Sequence, residues 1–125
     1  MSALVDTSVL IDVLRGEAAA AEVLRGARRA GPLHASEVTR LEVLAGMRPG
    51  EEAATRALLA ILTWHPLDDR VSDVAGELGR RWLPGHRGID AADLAIAATA
   101  VLLGAALLTR NVKHFPMFSE LVPPY

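Results

Sequence analysis

Short apolar runs alternate along this chain with longer stretches in which apolar residues recur every three or four positions. Ala3-Leu4-Val5, Leu33 to Ala35, Trp64 to Leu67 and Ala105 to Leu108 are runs of the first kind and read as strands, with a further short strand expected near Leu121-Val122. The second pattern predicts helices over Val9 to Leu14, Ala18 to Arg29, Glu37 to Met47, Glu51 to Leu62, Val71 to Trp82 and Ala91 to Leu103. Gly16, Gly31-Pro32, Pro49-Gly50, Pro66, Pro84-Gly85, Gly88, Gly104 and Pro116 supply the breaks. Thr7 or Ser8 is placed to cap the first helix and Ser36 the third. Apolar strands alternating with helices predict an α/β fold: a small parallel sheet with helices on both faces, richer in helix than usual. No repeat or long linker divides residues 1–125, so one domain is expected.

Bulk properties narrow the class. A chain of 125 residues, 51% apolar, can bury a core without staples and is too hydrophobic for disorder. Cysteine is absent, which removes disulfides, thiolate metal sites and cysteine nucleophiles together. The N-terminal apolar stretch has no basic region before it and is interrupted by Asp6. The longest uncharged run, Leu94 to Thr109, is shorter than the roughly 18 residues of a membrane span. A cytoplasmic protein is expected. A net charge of −2 leaves no global field to draw in nucleic acid. Lys113 is the only lysine; so strong an arginine bias follows from GC-rich coding as well as from phosphate binding.

Against this background several acids stand out. Asp6 directly follows the first strand, where open α/β sheets bind ligands. Glu42 falls in one arc with Val38, Leu41 and Ala45, where a lone carboxylate is costly unless a cation or metal meets it. The plainer alternatives are an ion pair with an arginine or a position at the edge of the stripe. Asp90 and Asp93 head a helix that is apolar almost all round. Both suit N-terminal caps, yet Asp93 shares a face with Ile96, Ala97 and Ala100 and is placed for a second task. Asn111, just past the fourth strand, either caps a turn or faces the cleft of Asp6. Carboxylates gathered at one sheet edge repel one another unless a cation joins them. Oxygen ligands without cysteine or paired histidine suit Mg²⁺ or Mn²⁺, and such an ion activates water against a phosphodiester.

VDTSVLIDVL, SEVTRLEVLAGM, GIDAADLAIAATA and LLTRNVKHF, in this order, are the segments by which the chain resembles a PIN-domain ribonuclease, in particular the VapC toxins of bacterial toxin–antitoxin pairs. The resemblance implies a PIN-like fold and a metal-dependent endoribonuclease that cuts tRNA, rRNA or mRNA and so arrests translation. Residue by residue it implies Asp6, Glu42 and Asp93 as catalytic acids, with Asp6 and Asp93 the direct metal ligands. Thr7 or Ser8 would orient Asp6, and Asp90 and Asn111 would stand just outside the ligands. Family members often carry a fourth acid where this chain has Asn111 and His114, which leaves one ion or two open. The resemblance also implies a homodimer, a VapB antitoxin lying across the cleft in a heterotetramer or larger complex, and DNA contact only through that antitoxin. Val9, Leu10, Val13, Leu14, Val23 and Leu24 are candidates for the antitoxin groove, with core packing as the alternative. Arg15, Arg48, Arg87 and Arg110 are candidates for phosphate contact, with solvated surface charge as the alternative.

Other readings are set aside on single residues. A haloacid-dehalogenase phosphatase needs a second aspartate where Ser8 stands, and no Gly-rich run ends in Lys-Ser or Lys-Thr. His34, His65 and His86 lack metal-ligand spacing, and Asp68-Asp69 reads as a turn and cap. The few aromatic residues form no evident platform for stacking bases. The competing class is a PIN fold that has lost catalysis and serves as a binding module in an antitoxin–operator complex.

Overall fold

The computed structural model describes every residue from Met1 to Tyr125. Four strands, β1 (Ala3–Val5), β2 (Leu33–Ser36), β3 (Thr63–His65) and β4 (Ala106–Leu108), form one parallel sheet in the order β3-β2-β1-β4. Six helices connect and cover them: α1 (Thr7–Leu14), α2 (Ala18–Ala30), α3 (Glu37–Ala45), α4 (Glu52–Leu59), α5 (Asp69–Trp82) and α6 (Ala91–Leu103). A single 3₁₀ turn, Val112–His114, follows β4.

Strand β1 shows why the strands read as unbroken apolar runs. Successive side chains point to opposite faces, and both faces are covered. Ala3 and Val5 join a core with Val9, Leu10, Leu24 and Val43, whereas Leu4 joins a second core with Ile96, Leu107 and Phe115. Helix α6 is apolar all round because it lies inside, with every residue from Ala95 to Ala100 buried. It stops where Gly104 takes φ = 62°, a left-handed conformation that glycine adopts without penalty.

Several elements differ from the sequence expectation. Leu121-Val122 is not a strand: Leu121 packs on the second core, Val122 is exposed, and Pro123-Pro124 offers no N–H to a ladder. Helix α1 begins at Thr7 rather than Val9, so neither hydroxyl caps it. Helices α3 and α4 end two and three residues early, α5 starts two residues early, and β3 covers Thr63–His65. The expected caps Ser36 and Asp68 are made, accepting from the Val38 and Val71 amides. His34 and His65 meet across the β2–β3 ladder, their Nδ1 and Nε2 atoms 2.8 Å apart; burial, then His65, holds the His34 imidazole below its usual pKa.

The arc assigned to α3 also requires correction. Thr39 and Val43 are its buried positions, whereas Leu41 is 66% exposed and Glu42 is itself exposed. Apolar letters alone misplaced the arc because threonine occupies one inward position and finds a hydroxyl partner in Thr7.

Candidate active site

The chain runs from β1 to β2 on one side, while β4 returns to the other flank of β1. The carboxyl end of β1 is therefore the switch point of the sheet, where a crevice opens between diverging connections. Asp6 is the residue at that end. A cavity of about 480 Å³ opens there, bounded by Asp6, Thr7, Ser8, Ile11 and Asp12 from β1–α1, by Glu42 from α3, by Asp90 and Asp93 from the head of α6, and by Arg110, Asn111 and His114 after β4. Every residue assigned from the sequence to catalysis, to metal or to their surroundings lines this one cavity.

Asp6 is only 3% exposed. Its Oδ2 accepts hydrogen bonds from the Ser8 hydroxyl at 2.8 Å and the Thr109 hydroxyl at 2.7 Å. Of the two hydroxyls expected to orient Asp6, Ser8 does so. Thr7 turns instead to α3, where its hydroxyl lies 2.6 Å from Glu42 Oε1 and 3.0 Å from Thr39 Oγ1. With one proton to give, it donates to the nearer, charged acceptor. Thr109, fully buried, has no place in the sequence reading. It lies two residues beyond Leu107 and so continues the inward side of β4, a period-two signal that pointed to it.

Asp93 makes the cap expected of it and also lines the cavity. Its amide donates to Asp90 Oδ1 at 2.8 Å, and its own Oδ2 accepts from the Asp90 amide at 3.1 Å, closing a capping box at the start of α6. His114 Nδ1 stands 3.1 Å from that same Oδ2. Burial pushes the Asp93 carboxyl up to about 6; the Asp90 charge adds to this, while the Asp90 amide and His114 oppose it. Asn111 lines the cavity without capping the 3₁₀ turn through its side chain; its backbone is engaged, the N–H donating to Thr109 Oγ1 and the carbonyl accepting from the His114 N–H.

Asp6 and Asp93 share a pattern. Each spends Oδ2 on protein donors, while its Oδ1 accepts nothing from the protein and is not sealed from solvent. No three acid or histidine side chains are grouped closely enough to enclose an ion by themselves. Such a cavity, with oxygen donors and room for water, is suited to a hard cation that keeps part of its hydration.

The PIN domain family model matches residues 3–118. The chain belongs to the PIN-domain family. Within it, this PIN domain is similar to Ribonuclease VapC19 of Mycobacterium tuberculosis, 46% identical over 123 residues that span 98% of each chain. It is also similar to Ribonuclease VapC10 of the same organism, 43% identical over 98% of this chain and 92% of the relative. Among solved structures, a toxin–antitoxin complex from Klebsiella pneumoniae contains a chain that superposes with a TM-score of 0.81 at 29% identity, covering 98% of each. The family resemblance read from the four motifs and the α/β architecture both stand.

Proposed function

We propose that this PIN domain is a metal-dependent endoribonuclease toxin of a toxin–antitoxin pair, which hydrolyses RNA phosphodiester bonds. The observation that carries this reading is the meeting of Asp6, Glu42, Asp90 and Asp93, drawn from three separate parts of the chain, around one cavity at the switch point of the sheet. The names of its VapC relatives support it.

Asp6 and Asp93 would hold the ion through their free Oδ1 atoms. When bound, Mg²⁺ or Mn²⁺ supplies acidification of water and neutralisation of charge on the phosphoryl group. The chain's own contribution is orientation. Ser8 and Thr109 fix the Asp6 carboxylate, the capping box and His114 fix Asp93, and Thr7 holds Glu42 at the rim, where its carboxylate can accept a proton from an attacking water. Asn111 supplies a neutral amide beside them, able to hold water but adding no charge for a second ion.

Purified protein freed of antitoxin should cut tRNA when Mn²⁺ is added and stop cutting when EDTA is added. Protein that cuts no RNA with either metal, yet still binds a VapB-type partner tightly, is the binding module instead. A second outcome follows from Asp93. Its carboxyl is raised to about 6, so below that pH it must release a proton to bind a cation. Mn²⁺ affinity measured by calorimetry should therefore fall as pH drops through 6, with proton uptake by the buffer. Asp93→Asn should abolish both the binding and the proton release; a pH-independent affinity would remove Asp93 from the ligand set.

Partners belong to the same proposal: a VapB-type antitoxin, a homodimer, and a heterotetramer or larger assembly with the antitoxin. The toxin–antitoxin complex that the fold resembles supports the first. Val9, Leu10 and Leu24 are withdrawn from the candidate groove because they lie in the core, leaving half-buried Val13, Leu14 and Val23 to meet a partner. No helix is long and apolar enough to cross a membrane, and we place the toxin in the cytoplasm.

A further inference from the structure

The cavity sets five carboxylates against a substrate that is itself a polyanion. Arg110 is the one lysine or arginine on its walls. Most other candidates for phosphate contact are spent or distant. Arg15 is ion-paired with Glu51 at 2.7 Å, and Arg48 and Arg87 do not line the cavity. Arg110 is tied to the site through its backbone, whose amide donates to Ser8 Oγ at 3.1 Å, and Ser8 in turn donates to Asp6.

The guanidinium of Arg110 is held in an unusual way. Its Cζ lies 4.6 Å from the centre of the Tyr125 ring, and its Nη1 stands 3.7 Å from Asp12 Oδ2. A carboxylate and a guanidinium so placed ordinarily close to a bidentate pair at about 2.7–2.9 Å. Here the Tyr125 hydroxyl already donates to that same Oδ2, at 2.6 Å. Tyr125 therefore does two things. Its ring face carries the cation, and its hydroxyl takes up one acceptor site of the carboxylate that faces the guanidinium, which stands off at 3.7 Å as a loose ion pair. Burial, then Asp12, pushes the phenol up to about 12, so it remains a donor throughout the physiological range. The ring is anchored by packing against the first core.

Resting on the endoribonuclease reading, we propose that Arg110 grips a phosphate of the RNA beside the acidic cavity, and that Tyr125 is its positioning residue, keeping the guanidinium from closing into a tight pair with Asp12. RNA thereby gains one fixed cationic contact in a cavity that carries five acids and no other lysine or arginine, and the contact is registered to Asp6 through Ser8.

The test is fluorescence anisotropy with labelled tRNA over a series of salt concentrations, in Mn²⁺, with every protein carrying Asp6→Asn so that the RNA survives. Arg110→Ala should weaken binding about tenfold at low salt, as expected for loss of a charged hydrogen-bonding contact. It should also flatten the salt dependence by about one phosphate contact. Tyr125→Phe keeps the ring and removes the hydroxyl; Asp12 then closes on Arg110 and affinity falls several-fold. Adding Asp12→Asn to Tyr125→Phe should restore affinity, which a merely structural role for Tyr125 does not predict. The proposal is overturned if Arg110→Ala leaves affinity and salt slope unchanged, if Tyr125→Phe lowers only the melting temperature, or if the parent protein binds no RNA. Arg110-dependent binding by a protein that, with Asp6 intact, cuts nothing in any metal would sink the nuclease reading and leave this one standing.

Discussion

Asp6→Asn should abolish RNA cleavage while the protein folds as before. The side chain lies at the switch point, almost fully buried, and the proposed ion would lose its most enclosed anionic ligand. Interactions of this kind are worth several kcal/mol in the transition state, so a loss of about 10³-fold or more in turnover is expected. The fold has little reason to suffer. An asparagine carbonyl accepts the Ser8 and Thr109 hydroxyls as the carboxylate oxygen does, and removing a buried charge lifts a desolvation cost. Cleavage of tRNA in Mn²⁺, followed on a gel beside a thermal melt, separates the two effects. A variant that still cuts within tenfold of the wild type would remove Asp6 from the chemistry, whereas one that melts far below it would show a structural carboxylate.

The largest loss of stability is expected at Phe115. Its ring is completely buried in the second core with Leu4, Ile96 and Leu107, and its amide closes the 3₁₀ turn on the Val112 carbonyl. Phe115→Ala removes the ring and leaves a cavity that the sheet and α6 can only partly fill, at a cost of about 3–5 kcal/mol. In a domain of this size that is a fall of roughly 10–20 °C in melting temperature. Activity should fall too, because the turn that Phe115 anchors carries Asn111 and His114 to the cavity wall. Calorimetry on the variant checks the first statement. A shift of only a few degrees would mean that the turn is held by something other than this ring.

Much of the architecture was legible because its causes are local. Short runs without polar interruption marked strands covered on both faces, and Ser36, Asp68 and Asp90 marked helix starts through hydrogen bonds spanning two or three residues. The misreadings have local causes as well. Periodicity counts apolar letters, so it passed over Thr39 as an inward position and credited Leu41, which faces solvent. The Thr7 hydroxyl looked like a cap because the Glu42 carboxylate it serves lies 35 residues away, whereas Ser8 serves Asp6 only two residues before it. Leu121-Val122 has the composition of a strand, but the two prolines after it cannot supply ladder donors.

The chain's own pattern determined the element types, their order, and the acids that stand at odds with their apolar surroundings. Only the fold decided that those acids share one cavity, and which atoms they leave free. Thr109 meets Asp6 across 103 residues of sequence, and Tyr125 meets Asp12 across 113. Spacing along a helix or strand records which way a side chain faces relative to its near neighbours. It carries no information on which strand ends lie side by side, because that follows from the β3-β2-β1-β4 order, settled by packing over the whole sheet.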